Sequence, residues 1–88
     1  MTDADIANEI ERQLSGRAAT SSICPSEVAR ALQGDEIAWR ALMPRVREVA
    51  AAMRGEGRLR IMRGVVDIPD VALHHGAIRL ARGPGFAN

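Results

Sequence analysis

The segment from Cys24 to Gly34 constrains the fold most, because it carries both the start and the stop signals of a short helix. Pro25 suits the first helical position, where a missing N–H has no cost, and Glu27 lies where its carboxylate can reach back over the helix start. A narrow apolar stripe follows, and Gly34 can adopt the left-handed conformation that ends a helix. The segment predicts a helix over residues 25–33 and the first half of a helix-turn-helix.

A helix is also predicted before this segment. Ile6, Ile10 and Leu14 repeat every four residues and would form a thin apolar seam facing the core. These residues predict a helix over residues 3–15. The connector that follows is small and polar, and its last residues, 20–23, could form a very short strand.

A third apolar face runs from Trp39 to Met53 and falls within an arc of about 120° at helical spacing. Pro44 lies inside it, and a proline within a helix removes one backbone hydrogen bond at a cost of about 3 kcal/mol. We therefore expect helical structure over residues 36–54 that is kinked or broken at this point. The favoured form is a short helix near residues 36–42 and a longer one that begins at Pro44.

Strand patterns appear in the last third of the chain. Apolar and polar residues alternate over residues 58–63 and again over residues 77–81, which predicts two antiparallel strands. Their connection is long for a hairpin, so we expect Val65 and Val66 to extend the first strand and residues 67–75 to form a loop.

This order of elements is that of an α+β winged helix-turn-helix, with three helices followed by a two-stranded hairpin as the wing. We expect one domain over residues 1–82 and a tail over residues 83–88. One shared core is predicted for ten apolar residues: Leu14, Val28, Leu32, Leu42, Val46, Met53, Leu59, Ile61, Ile78 and Leu80.

Four motifs are specific enough to compare with known families: CPSEVAR at residues 24–30, WRALMPRVREVA at 39–50, GRLRI at 57–61 and GAIRLARG at 76–83. They resemble an uncharacterised bacterial family, domain of unknown function 3253, and the resemblance covers nearly the whole chain. Members of that family typically read GPIRL where this chain reads GAIRL, a departure that affects backbone stiffness and leaves the apolar pattern intact. The resemblance implies a small winged-helix domain and leaves the activity open.

The composition argues against disulfide-rich, membrane-spanning and secreted classes of protein. A single cysteine excludes an internal disulfide framework, and it favours a reducing cytoplasm. No apolar run approaches the roughly 20 residues that span a bilayer, and the N-terminus is acidic where a secretory signal would be basic. We therefore expect a cytoplasmic protein without a membrane partner.

Charge is unevenly distributed along the chain. Residues 1–36 carry seven acids and three arginines, a net charge of −4, whereas residues 37–88 carry nine arginines and four acids, a net charge of +5. The absence of lysine is typical of a GC-rich genome, yet arginine also binds phosphate and guanine bidentately. The basic C-terminal half therefore makes duplex DNA the leading partner, in a regulatory or accessory role.

In a winged helix, the helix beginning near Pro44 would be the recognition helix, with Arg45 and Arg47 in its first turn, where base edges are usually contacted. Five further arginines would lie on or beside the wing, within reach of phosphate: Arg58, Arg60, Arg63, Arg79 and Arg82.

The alternative is a protein-interaction module without nucleic-acid binding. Glu48, Ala51 and Ala52 occupy the outward centre of the third helix and are weak or repulsive readers of DNA, so an arginine-rich solvated face fits about as well. The near-neutral net charge of +1 suits a docking domain equally. Nothing in the sequence resembles an added dimerisation helix, which predicts a monomer or a weak homodimer.

Residue chemistry gives little support for catalysis. Cys24 falls at a helix N-terminus, where the helix dipole favours a thiolate, so a thiol sensor is a distant third function; an inert structural thiol is the expected role. His74 and His75 adjoin on the predicted loop without a third metal ligand at a suitable spacing. No catalytic motif and no phosphate-binding glycine loop is present, so we expect neither an enzyme nor a bound cofactor or metal.

Overall fold

The computed structural model of the chain describes residues 1–64, 66–68 and 77–86. Over these residues it shows an α+β fold with three helices and a four-stranded antiparallel sheet. In chain order the elements are α1 (Asp3–Ser15), β1 (Ser22–Ile23), α2 (Pro25–Leu32), α3 (Glu36–Gly55), β2 (Leu59–Arg63), β3 (Val66–Asp67) and β4 (Arg79–Arg82).

The first helix starts and packs as its sequence predicts. Thr2 caps α1 by accepting a hydrogen bond from the Asp5 backbone N–H at 3.2 Å, and the Asp5 carboxylate accepts one from the Thr2 N–H at 2.9 Å. This reciprocal pair satisfies two backbone donors that have no partner inside the helix. Ile6, Ile10 and Leu14 are all fully buried, so the predicted seam faces the core.

The second helix confirms the start signals in the central segment. Pro25 is its first residue, and the Glu27 carboxylate accepts a hydrogen bond from the Cys24 backbone N–H at 2.7 Å. The helix ends at Leu32, one residue before the predicted end. Only residues 33–35 separate it from α3, so a short turn joins the two helices.

The third helix corrects the prediction of a break at Pro44. It runs without interruption from Glu36 to Gly55, and Asp35 caps it by accepting a hydrogen bond from the Ala38 N–H at 3.0 Å. Pro44 is exposed on this helix, so water can hydrate the backbone carbonyl that its missing N–H leaves without a helical partner. Buried side chains on both sides of Pro44 hold the helix together as one element.

The sheet contains two more strands than the predicted hairpin. Its strand order is β1-β4-β2-β3, with every neighbouring pair antiparallel. The two inner strands are the predicted ones, and the very short strand expected within residues 20–23 is present as β1. Val66 does not extend β2 as predicted, and Asp67, expected in the loop, belongs to a strand. A turn at Gly64, where φ is +63°, instead reverses the chain, and Val66 and Asp67 form β3 against β2. Val65 and residues 69–75 of the predicted loop lie outside the described residues.

One core joins the three helices to the sheet, as predicted. All ten of the predicted core residues belong to it, nine of them buried and Leu32 half-buried against the others. Ile23 from β1 and Ile68, which follows β3, are buried in the same core. Trp39 is buried as well, which confirms its predicted core position.

The chain after β4 continues alongside the residues that precede β2. The Gly83 N–H donates to the Arg58 carbonyl at 2.9 Å, and the Gly85 N–H donates to the Gly57 carbonyl at 2.8 Å. Phe86 then packs, half-buried, against the core. The predicted tail is therefore bound to the domain through residue 86.

Candidate nucleic-acid interface

The true start of α3 moves two predicted base-reading residues away from the beginning of the helix. Because the helix begins at Glu36, Arg45 lies about two and a half turns into it. The expectation that Arg45 and Arg47 occupy the first turn of this helix is therefore wrong. The cause is the continuity of the helix across Pro44.

Arg45 instead links α3 to the start of α1. Its guanidinium forms an ion pair with Asp3 at 2.9 Å and donates to the Met1 carbonyl at 3.3 Å. Arg47 is half-buried and is also engaged in an interaction within the chain. The Arg45 side chain is 43% exposed, but its guanidinium is held at the start of α1.

The first two turns of α3 expose a different set of residues. Ile37 is 80% exposed, and Arg40 and Ala41, which follow on the same side of the helix, are also exposed. Arg30, in the last turn of α2, is exposed as well. We did not predict Ile37, Arg40 or Arg30 as site residues, although the apolar stripe of α2 already implied that Arg30 faces outward.

Trp39 brings the two exposed arginines together. The guanidinium carbon of Arg30 lies 4.6 Å from the centre of the Trp39 ring, and that of Arg40 lies 4.8 Å from it. Both distances are within the range of cation–π attraction. The Trp39 ring therefore contacts one cation from α2 and one from α3, beside the turn that joins these helices.

Two of the predicted wing arginines are used inside the domain. The Arg58 guanidinium forms ion pairs with Glu11 on α1 and with Glu56. Arg82 points toward α1, where it donates to the carbonyls of Leu14 and Arg17 at 2.8 and 3.0 Å. These contacts satisfy backbone carbonyls at the end of the helix, so both residues join the sheet to α1.

The other three wing arginines are exposed. Arg63 is exposed at the end of β2 and also has a contact within the chain. Arg60 donates from its Nε to the Arg82 carbonyl at 3.1 Å. Arg79 donates to the side chain and the carbonyl of Ser22, both at 2.8 Å. The sheet therefore presents cations to solvent at several points.

Several acidic groups are stabilised in their ionised form by local partners. The Cys24 backbone N–H and then Arg17 lower the pKa of Glu27. Arg54 lowers the pKa of Asp67 in the same manner and joins α3 to β3 through an ion pair of 2.9 Å. Arginines of the same chain thus partly neutralise acidic side chains in both halves of the sequence.

Cys24 lies half-buried at the start of α2, as predicted, and its sulfur accepts a hydrogen bond from the Ser26 hydroxyl at 3.1 Å. No group of three or more potential metal ligands occurs among the described residues. His74 and His75 lie outside those residues. In the same part of the chain, no helix is long and apolar enough to cross a membrane.

Comparison with protein-family models gives a match over most of the chain. A family model described as a protein of unknown function, DUF3253, matches residues 3–83. That range contains all the helices and strands described above. A search of curated proteins found no match.

Proposed function

The chain belongs to the DUF3253 family of proteins of unknown function, and we propose from its own geometry that it is a winged-helix domain that binds duplex DNA. The surface would comprise the first two turns of α3, the adjoining Arg30 of α2, and the exposed arginines of the sheet. The observation that carries the proposal is the helix-turn-helix itself, in which Arg30 near the end of α2 and Arg40 near the start of α3 both contact the Trp39 ring.

The connectivity supports the winged-helix assignment. A short strand lies between α1 and α2, and it pairs with the last strand, β4, which in turn pairs with β2. The hairpin that follows these helices is thereby joined to the helical part through β1 on one side, and on the other side Asp67 of β3 pairs with Arg54 of α3. In such folds the second helix of the motif enters the major groove, and the wing contacts the phosphate backbone.

The residues at the start of α3 suit this role better than the residues first predicted. Arg40 pairs with Glu36 at 3.6 Å, but both side chains are largely exposed. Such pairs contribute only about 0–1 kcal/mol, so a DNA phosphate or a guanine can displace the carboxylate. Ile37 could then contact a thymine methyl group, as apolar side chains do in the major groove.

A titration of labelled duplex DNA, followed by fluorescence anisotropy at low salt, tests the proposal. We expect weak, salt-dependent binding, with about 0.9 added to the slope of log K against log salt for each phosphate contact. Arg40→Gln and Arg30→Gln should each lower the affinity several-fold. Arg12→Gln on α1 is the matched control, because it removes an equally exposed charge outside the proposed surface.

Absence of binding at tens of micromolar protein, roughly the range of ordinary non-specific affinity, would overturn the proposal. Equal losses in all three variants would also contradict it, because they would indicate a general effect of net charge.

A protein-docking role is the second candidate, and the exposure of Ile37 favours it. A large aliphatic side chain that is 80% exposed on a helix face is a suitable anchor for a partner protein. If DNA binding is absent, the same helix start remains the surface to test by substitution of Ile37.

A further inference from the structure

The outer face of the sheet carries two arginines next to each other. Arg60 lies opposite Ala81 in the β2–β4 pair, and Arg79 lies opposite Met62. Residues directly opposite in an antiparallel pair project to the same face, and diagonal neighbours are about 7–8 Å apart, within reach of long side chains. Arg60 and Arg79 are such diagonal neighbours, on the face turned away from the core.

Both guanidinium groups donate hydrogen bonds to other residues of the domain. Arg60 is held through its Nε by the Arg82 carbonyl, which leaves its two terminal nitrogens toward solvent. Arg79 is held by two hydrogen bonds to Ser22, which leaves one terminal nitrogen. In the described part of the chain, neither group forms an ion pair, whereas Arg12, Arg17, Arg40, Arg45, Arg54 and Arg58 do.

A groove lies between the two arginines. It has a volume of about 340 Å³ and is lined by both guanidinium groups together with Thr20, Ser22, Met62 and Ala81. The small side chain of Ala81 leaves room between its large neighbours. Thr20 and Ser22 also belong to the lining, and the Ser22 hydroxyl already accepts a hydrogen bond from Arg79. A second depression of about 410 Å³ adjoins this groove and shares Arg60 with it.

We propose that this groove is a phosphate-binding site, with Arg60 and Arg79 as its ligands. Guanidinium groups match the geometry of phosphate oxygens and bind them through charge-assisted hydrogen bonds. Their fixed orientation reduces the conformational freedom that is lost on binding. The phosphate is either part of a nucleic-acid backbone or part of a small phosphorylated molecule, and the site does not depend on the DNA surface at α3.

The test is a titration of the ¹⁵N-labelled protein with sodium phosphate, with sodium chloride at the same ionic strength as the reference. We expect saturable shifts at the Arg60 and Arg79 Nε–H signals and at the Ser22 amide, with a dissociation constant in the millimolar range. Arg60→Gln should abolish saturable phosphate binding. Arg60→Lys should weaken it, because lysine keeps the charge but lacks the planar guanidinium that donates two parallel hydrogen bonds. Arg12→Gln should leave the titration unchanged.

Shifts that rise linearly with phosphate, or that chloride reproduces, would overturn the proposal. Because Arg79 holds β1 through Ser22, Arg79→Gln could disturb the sheet, so Arg60→Gln is the deciding variant and its dispersed spectrum is the check on folding.

A second arm identifies the source of the phosphate. If nucleic acid occupies the groove, Arg60→Gln lowers the affinity for duplex DNA and reduces the salt slope by about 0.9. If a small phosphorylated molecule occupies it, the same variant leaves DNA binding unchanged while phosphate binding is lost. Failure of DNA binding altogether would refute the proposed function and leave the phosphate titration as an independent measurement.

Discussion

At the scale of single residues, Gly83 has the least space for a side chain among the described glycines, because it lies against the residues that precede β2. A Cβ built on Gly83 would lie 2.5 Å from the Gly57 carbonyl oxygen and 2.9 Å from backbone atoms of Arg58 and Leu59. These neighbours are backbone atoms and cannot rotate aside as a side chain can. Glycine is therefore required here by space, since only a hydrogen fits in place of a side chain.

Gly83→Ala should destabilise the domain by about 1–3 kcal/mol, the usual range for a forced backbone displacement in a packed region. Chemical denaturation would measure this as a lower midpoint. Gly34→Ala is the matched control, because a Cβ at Gly34 meets nothing within 4 Å. Equal midpoints for the two variants would contradict the steric explanation.

At the scale of elements, α3 is a helix in which tertiary packing outweighs the helix-breaking effect of the interior proline, Pro44. Trp39 and Leu42 before Pro44, and Val46 and Val49 after it, are all buried in the same core. The proline removes one helical hydrogen bond at a cost of about 3 kcal/mol. Burial of four large apolar side chains, at about 1.5–3 kcal/mol each, outweighs that loss.

Replacing the interior proline should therefore stabilise the protein. Pro44→Ala restores the backbone donor, and we expect a gain of roughly 1–2 kcal/mol after allowing for the greater freedom of the unfolded chain. Thermal unfolding would show a higher midpoint. Pro25→Ala should have the opposite sign, because Pro25 suits the first helical position and is fully buried. A lower midpoint for Pro44→Ala would refute this account.

How far the sequence predicts the structure depends on the range of the interactions involved. The starts of α1 and α2 were predictable because their capping partners lie three residues apart. The partners of the arginines were not predictable, because Arg45 forms a hydrogen bond with a residue 42 positions away and Arg82 with one 68 positions away. The sequence alone therefore identifies the basic half of the chain, but it does not identify which arginines remain exposed.

At the scale of the whole molecule, ionised carboxylates contribute to the native state at several separate places. Asp5, Glu9, Glu27 and Asp67 all have a pKa below the ordinary value, through hydrogen bonds from backbone groups or arginines. A lowered pKa in the folded chain stabilises it at pH values above the ordinary pKa of about 4. That stabilisation is lost as the pH falls through the lowered values.

We therefore expect the free energy of unfolding to decrease as the pH is lowered from about 5 to about 3. Glu27→Gln should make the decrease shallower, because it removes one of the contributing groups, and Arg17→Gln should have a smaller effect because the Cys24 N–H remains as a partner. Urea denaturation at a series of pH values is the measurement. Parallel curves for Glu27→Gln and the unchanged protein would contradict the assignment.

The order of the strands also bears on how the molecule behaves at high concentration. The two edges of the sheet are β1 and β3, which are strands of only two residues as the described residues define them, whereas the longer strands β2 and β4 are enclosed between them. Long, flat edges allow a neighbouring molecule to add its own strand, and this is how many sheets begin to aggregate. Two-residue edge strands offer a neighbouring molecule few unpaired backbone groups for hydrogen bonding. This strand order therefore disfavours growth of the sheet from one molecule to the next.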